Sequence, residues 1–170
     1  MIRIRSKKEI ELIATSCQIV SDTLDMLSDH VKPGVKINDL DKMAEKFIIN
    51  CGARPAFKGY MGFPATLCVS VDDEVVHGIP NDRILKEGQI VGIDCGAEKD
   101  GYFGDHARTF SVGKITNDKQ KLMDITHKSL MLGIAEASPD NFVSDIGYAI
   151  QSYVEKYGYS VVRELVGHGI

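Results

Sequence analysis

The chain has 170 residues, 44% of them apolar and 26% charged, with a formal net charge of −4. That length suits one domain with a real core, and the acidic balance offers no basic field for a nucleic-acid partner. No run approaches the roughly 18 apolar residues of a membrane span. The start, Met1-Ile-Arg-Ile-Arg-Ser-Lys-Lys, has no apolar stretch of the kind a secretory signal needs. Four scattered cysteines, Cys17, Cys51, Cys68 and Cys95, show no CxxC pairing and read as free thiols in a reducing cytoplasm.

In chain order, Ser6 with Glu9 three residues on is a capping-box pattern. Ile10, Ile13, Cys17, Val20, Leu24 and Leu27 then recur at helical spacing, which predicts an amphipathic helix over about 7–30, ended by Lys32-Pro-Gly. Asn38 is placed to cap a second helix reaching about residue 50, with Leu40, Met43, Ala44, Phe47 and Ile48 on one stripe. Residues 53–65, rich in Gly, Pro and aromatics, read as a loop. Alternation and β-branching predict strands near 66–71, 89–97 and 102–112. Helices follow over about 116–136 and 143–157, then a strand near 159–165.

The second helix and its flanks recur 106 residues later, in "KPGVKINDLDKMAEKFIINCG" (32–52) and "SPDNFVSDIGYAIQSYVEKYG" (138–158). Pro33 matches Pro139, Asp39 matches Asp145, and Gly52 matches Gly158. The plainer alternative is two similar capped helices arisen by chance, but the matching leading proline and stop glycine favour an internal duplication, with a first copy over about 1–110 and a partial second copy over about 111–170. The partners of strands 66–112 are then expected beyond residue 170, leaving the second half incomplete.

"VGIDCGAEKDGYFGDHARTF" (91–110) contains the most telling pattern. Asp94 and Asp105, eleven residues apart, each sit inside a strand-like run, where aspartate is depleted. Lys99-Asp100-Gly101 between them is a turn signal, so 89–112 reads as a hairpin. A Lys99-Asp100 loop sets Asp94 opposite Asp105; an Asp100-Gly101 loop sets Asp105 opposite Gly96, diagonal to Asp94. Either register puts both carboxylates on one face, with Cβ atoms about 4.5–8 Å apart. Two ionised carboxylates that close repel, and a shared proton, a basic neighbour or a bound cation relieves them. Arg108 falls on the opposite face by parity, and a divalent cation fits best. The plainer alternative is one aspartate on a solvated face and one at a bulge. His168, between two glycines in "VGHGI", and His77, where "VVHGIP" enters a turn, are the candidate imidazoles. Each has a plain reading as a solvated loop or chain-end residue. Cys68, Tyr60 and Phe63 could equally be core residues.

With these residues gathered, the chain resembles the bacterial-type (type I) methionine aminopeptidases through "GARPAFKGYMGFPATLCVSVDDEVVHGIP", "GIDCGAEKDGYFGDHARTF" and "VVRELVGHGI". The resemblance covers essentially all of 1–170. It implies an α+β pita-bread fold, a curved antiparallel sheet with helices on its outer face. It implies two divalent metal ions (cobalt, manganese, iron or zinc), held by two aspartates matching Asp94 and Asp105, a histidine matching His168, and two glutamates expected past Ile170. It further implies His77 as a catalytic and substrate contact near the scissile peptide, and Tyr60, Phe63 and Cys68 as part of a methionine side-chain pocket. The activity so implied is metal-assisted hydrolysis that removes the N-terminal methionine of nascent polypeptides, with the ribosome a further candidate partner. Lacking two ligands, the 170-residue chain is expected to be nearly inactive alone. The alternative is a non-catalytic relative that binds nascent chains or a protein partner and self-associates through an open sheet edge. A proline-specific dipeptidase of the same fold ranks lower.

Overall fold

The computed structural model describes residues 4–170. The chain forms two compact units, the first reaching to Ile115 and the second spanning Thr116–Gly169.

In the first unit, helix α1 (Lys7–Ser28) starts with the capping box read from the sequence, since Ser6 and Glu9 each bond the other's backbone N–H. Helix α2 (Ile37–Asn50) begins two residues earlier than expected, with Lys36 in the N-cap position. Asn38 does not cap it. Its side chain donates instead to Asp82 at 3.0 Å, and its N–H donates to the Asn81 carbonyl. Here a tertiary partner outcompetes the local cap. The expected 53–65 loop contains a two-residue strand, β1 (Arg54–Pro55), and a tight turn at Tyr60–Gly62. Strands β2 (Leu67–Val71), β3 (Ile90–Lys99) and β4 (Tyr102–Ser111) follow. Val75 and Val76, strand-like in composition, are exposed in the β2–β3 connection and pair with nothing regular.

The sheet is wholly antiparallel, with β3 at its centre; β1 and β2 share one side of β3, and β4 takes the other. Strand side chains alternate between faces. Leu67, Val69, Val71, Val91, Ile93, Cys95 and Ala97 therefore turn together towards α1 and α2, where Val20, Leu24, Leu27, Leu40, Ala44 and Ile48 complete one continuous core. Gly104 lets α1 lie close to β4, because a Cβ there would meet the Ser16–Cys17 backbone at 2.5 Å. Ser16 uses that proximity to donate to the Tyr102 carbonyl at 2.8 Å. On the same face Arg108 pairs with Asp25 on α1 at 2.6 Å, away from the aspartates as parity requires.

The outer edge of β2 is closed residue by residue. Leu67 donates its N–H to Asp41 of α2, Val69 to the Gly78 carbonyl and Val71 to Glu74, each at 2.8 Å. Among the described residues, β4 pairs with β3 alone.

The second unit is a helix pair, α3 (Asn117–Ala135) and α4 (Val143–Glu155). Gly133 admits the Ile150 and Ile146 side chains between them. Helices α2 and α4 start 106 residues apart, at Ile37 and Val143, and the stop glycines Gly52 and Gly158 are both left-handed, with φ of 69° and 80°. The strand expected near 159–165 does not form. Its β-branched residues have the local preference, but no neighbouring strand pairs with them among the described residues, and an unpaired strand leaves its backbone groups unsatisfied.

Candidate active site

The site is built from the β3–β4 hairpin upward. Asp100 and Gly101 have φ of 54° and 82°, and Lys99 pairs with Tyr102. Two consecutive positive φ values are the mark of the two-residue turn whose twist matches antiparallel strands. That turn selects the Asp100-Gly101 loop of the two registers open to the sequence. Asp105 lies opposite Gly96, and Asp94 lies opposite Ala107. The two aspartates are thus diagonal neighbours on the face turned away from α1 and α2.

Burial raises the Asp94 carboxyl first, the negative charge of Asp105 second, and hydrogen bonding with Asp105 third. The nearby His77 imidazole and the Cys95 backbone pull the other way, and the outcome is a group pushed up to about 6. Asp94 Oδ1 is buried and has no hydrogen-bond partner. An orphaned carboxylate oxygen is costly to keep, and a divalent cation satisfies it directly. An all-oxygen pair with imidazole at hand is the donor chemistry of first-row divalent ions. Among the described residues no group of three or more His, Cys, Asp or Glu stands assembled to hold an ion, so the hairpin contributes a pair of carboxylates and not a closed cage.

Cys68 lies directly opposite Asp94 on β2. Burial, then Asp94, Asp105 and Asp41, push its thiol up to about 11. It is therefore a neutral, polarizable sulfur in the floor of this face. Cys95, one residue from Asp94, points the other way into the core.

The 53–65 loop crosses the same face. Ala56 donates its N–H to the Gly96 carbonyl at 2.9 Å, and Lys58 pairs with Glu45 on α2 at 2.6 Å. The Phe57 ring packs on Gly96 so closely that any Cβ there would overlap it. Sequence reasoning missed Phe57, although a glycine inside a strand is itself a sign of close approach. Tyr60 and Phe63 follow on the tight turn, where the Phe63 N–H bonds the Tyr60 carbonyl at 2.9 Å. Tyr60 is 69% exposed, and Phe63 is half-buried.

His77 lies on the β2–β3 connection, close enough to Asp94 for their charges to interact. Its φ of 58° is left-handed, a conformation that costs a non-glycine residue roughly 1–2 kcal/mol. Asp94, Asp105, Cys68, Phe57 and His77 thus gather in the first unit. His168 belongs to the second unit, exposed near the chain end with Nδ1 beside the Gly169 carbonyl.

Comparison with known proteins adds the wider context. The model of metallopeptidase family M24 matches residues 11–170. A methionine aminopeptidase from Clostridium acetobutylicum is 49% identical over 171 residues, covering 100% of this chain and 68% of that protein. The crystal structure of methionine aminopeptidase from Rickettsia prowazekii superimposes with a TM-score of 0.98 at 43% identity, again over 100% of this chain and 68% of the other. The prolidase from Pyrococcus furiosus shares the pita-bread fold alone, with a TM-score of 0.82 at 23% identity. This chain is a member of the M24 metallopeptidases, and within them of the bacterial methionine aminopeptidases.

Proposed function

We propose that this chain carries the substrate-facing half of a methionine-removing active site, with Asp94, Asp105 and His168 as protein ligands for two divalent ions drawn from manganese, iron, cobalt and zinc. The observation that carries this reading is the same-face carboxylate pair with one buried oxygen of Asp94 unpartnered. Bound there, such ions supply Lewis acidity for peptide hydrolysis.

The chain's own side chains have separate tasks. Asp94 and Asp105 offer carboxylate oxygens from one face, and a cation held there would favour the ionised form of Asp94 over the protonated one. Cys68 remains a neutral thiol, and with Tyr60, Phe63 and the Phe57 ring it offers a soft apolar wall suited to an unbranched thioether. Phe57, lying on Gly96, keeps water from the floor of that wall. His77, at the rim near Asp94, is placed to hydrogen-bond the peptide that follows the methionine. The substrate class is the free N-terminus of a polypeptide beginning with methionine, with a small second residue.

Metal content measured on wild type and on Asp94→Asn tests the assignment. The variant is expected to lose at least an order of magnitude in affinity for manganese, and unchanged binding would refute the ligand role. The 170 residues hold three of the five protein ligands that the resemblance implies, and a partial cage binds weakly. Turnover of a methionyl peptide by this chain alone is therefore expected to be a small fraction of that of a relative with all five. Equal rates would remove the argument.

A further inference from the structure

His77 is held in a backbone conformation that its own side chain disfavours, and the structure shows what holds it. The next residue, Gly78, donates its N–H to Ser70 Oγ at 3.3 Å, and its carbonyl accepts the Val69 N–H at 2.8 Å. A methyl group at position 78 would overlap the Val69 carbonyl oxygen, so only glycine lies this close to the edge of β2. Ser70 is buried in that strand, at 9% exposure. Further along, Glu74 braces the connection, accepting the Val71 N–H at 2.8 Å and pairing with Arg83 at 2.7 Å. Strain at a single residue persists only where its surroundings over-determine it, and such residues cluster at functional sites.

We infer that Ser70 is a positioning residue for His77: its buried hydroxyl fixes the Gly78 peptide, and through it the left-handed turn that presents the imidazole to the aspartate face. Ser70 lies on the aspartate face of β2, two residues from Cys68, and acts on His77 through the Gly78 backbone. The inference rests on the reading of His77 as a substrate contact and adds what aims it. The Val69–Gly78 bond alone lets the His77–Gly78 peptide pivot about the strand edge. The second attachment at Ser70, one residue further along β2, removes that pivot.

The test uses the 170-residue chain labelled with nitrogen-15 in its histidine rings, the His77 signals being identified by their loss in His77→Gln. Wild type is expected to show one sharp set of His77 ring signals and slow exchange of the Gly78 amide proton. Ser70→Ala is expected to broaden or double the ring signals and speed Gly78 exchange roughly fivefold or more, while the core methyls of Val91 and Ile93 stay in place. Ser70→Thr keeps the hydroxyl and is expected to restore the wild-type spectrum. If Ser70→Ala fails to fold, Ser70→Cys, close in size but with a weak sulfur acceptor, provides the same readout. Ring signals and Gly78 exchange unaltered in the folded variant overturn the inference. Adding methioninamide with zinc separates the two ideas. If the wild-type ring signals ignore that probe at concentrations that shift the amides of the β3–β4 hairpin, the substrate contact fails while the positioning role stands on the Ser70 variants. If they respond to the probe but ignore Ser70, only the positioning role fails.

Discussion

Asp94 is a carboxyl pushed far from its ordinary value, and its proton affinity has a consequence for stability. Folding raises its pKa from 3.8 to about 6, chiefly through burial. A carboxyl that binds its proton more tightly when folded favours the native state fully below its unfolded pKa, and this contribution is lost as pH rises through the folded value. In chelator, Asp94→Asn should therefore melt a few degrees above wild type at pH 8, and the gap should close as pH falls through about 6 towards 4. A gap that stays constant with pH would show that the burial penalty lies elsewhere. The same proton competes with metal, so manganese uptake by wild type should weaken over that range. The acidic pair was legible in the sequence because aspartate is out of place in a strand. Phe57 was hidden among ordinary loop aromatics, and only the ring lying on Gly96 reveals it. Ser70 was equally silent, since its partner is a backbone N–H eight residues away across a turn.

Among the elements, the hairpin shows how far local reading reaches. The turn signal located the loop but left two registers, and the positive φ of both Asp100 and Gly101 decides between them. The helices were legible to within two or three residues because their apolar stripes are long. The cap at Asn38 and the strand at 159–165 were misread for one reason: each depends on a partner remote in sequence, present at Asp82 in the first case and absent among the described residues in the second. The contact of α1 with β4 gives a test at this scale. Gly104→Ala puts a methyl into the Ser16–Cys17 backbone, and overpacking of this kind costs about 1–3 kcal/mol. A lowered urea midpoint with an unchanged slope is the expected result; an unaltered midpoint would mean the helix can back away freely.

For the molecule as a whole, the two units differ in how much they bury. The first has one continuous core with many side chains fully excluded from water. In the second, Ile125 and Val154 are the buried large aliphatics, whereas Val143 is 87% exposed, Tyr148 75% and Ile134 56%. Stability follows such local burial, so amide exchange in α3 and α4 should be faster than in β3, and manganese should slow exchange in the β3–β4 hairpin. Equal protection in both units would contradict this. The asymmetry of the sheet's two flanks has a further outcome. With the outward donors of β2 already engaged by Asp41, Gly78 and Glu74, β4 is the long strand that keeps an unpaired flank among the described residues. A strand added on that flank, whatever its source, would complete the ladder of β4 and leave the β2 side as it is.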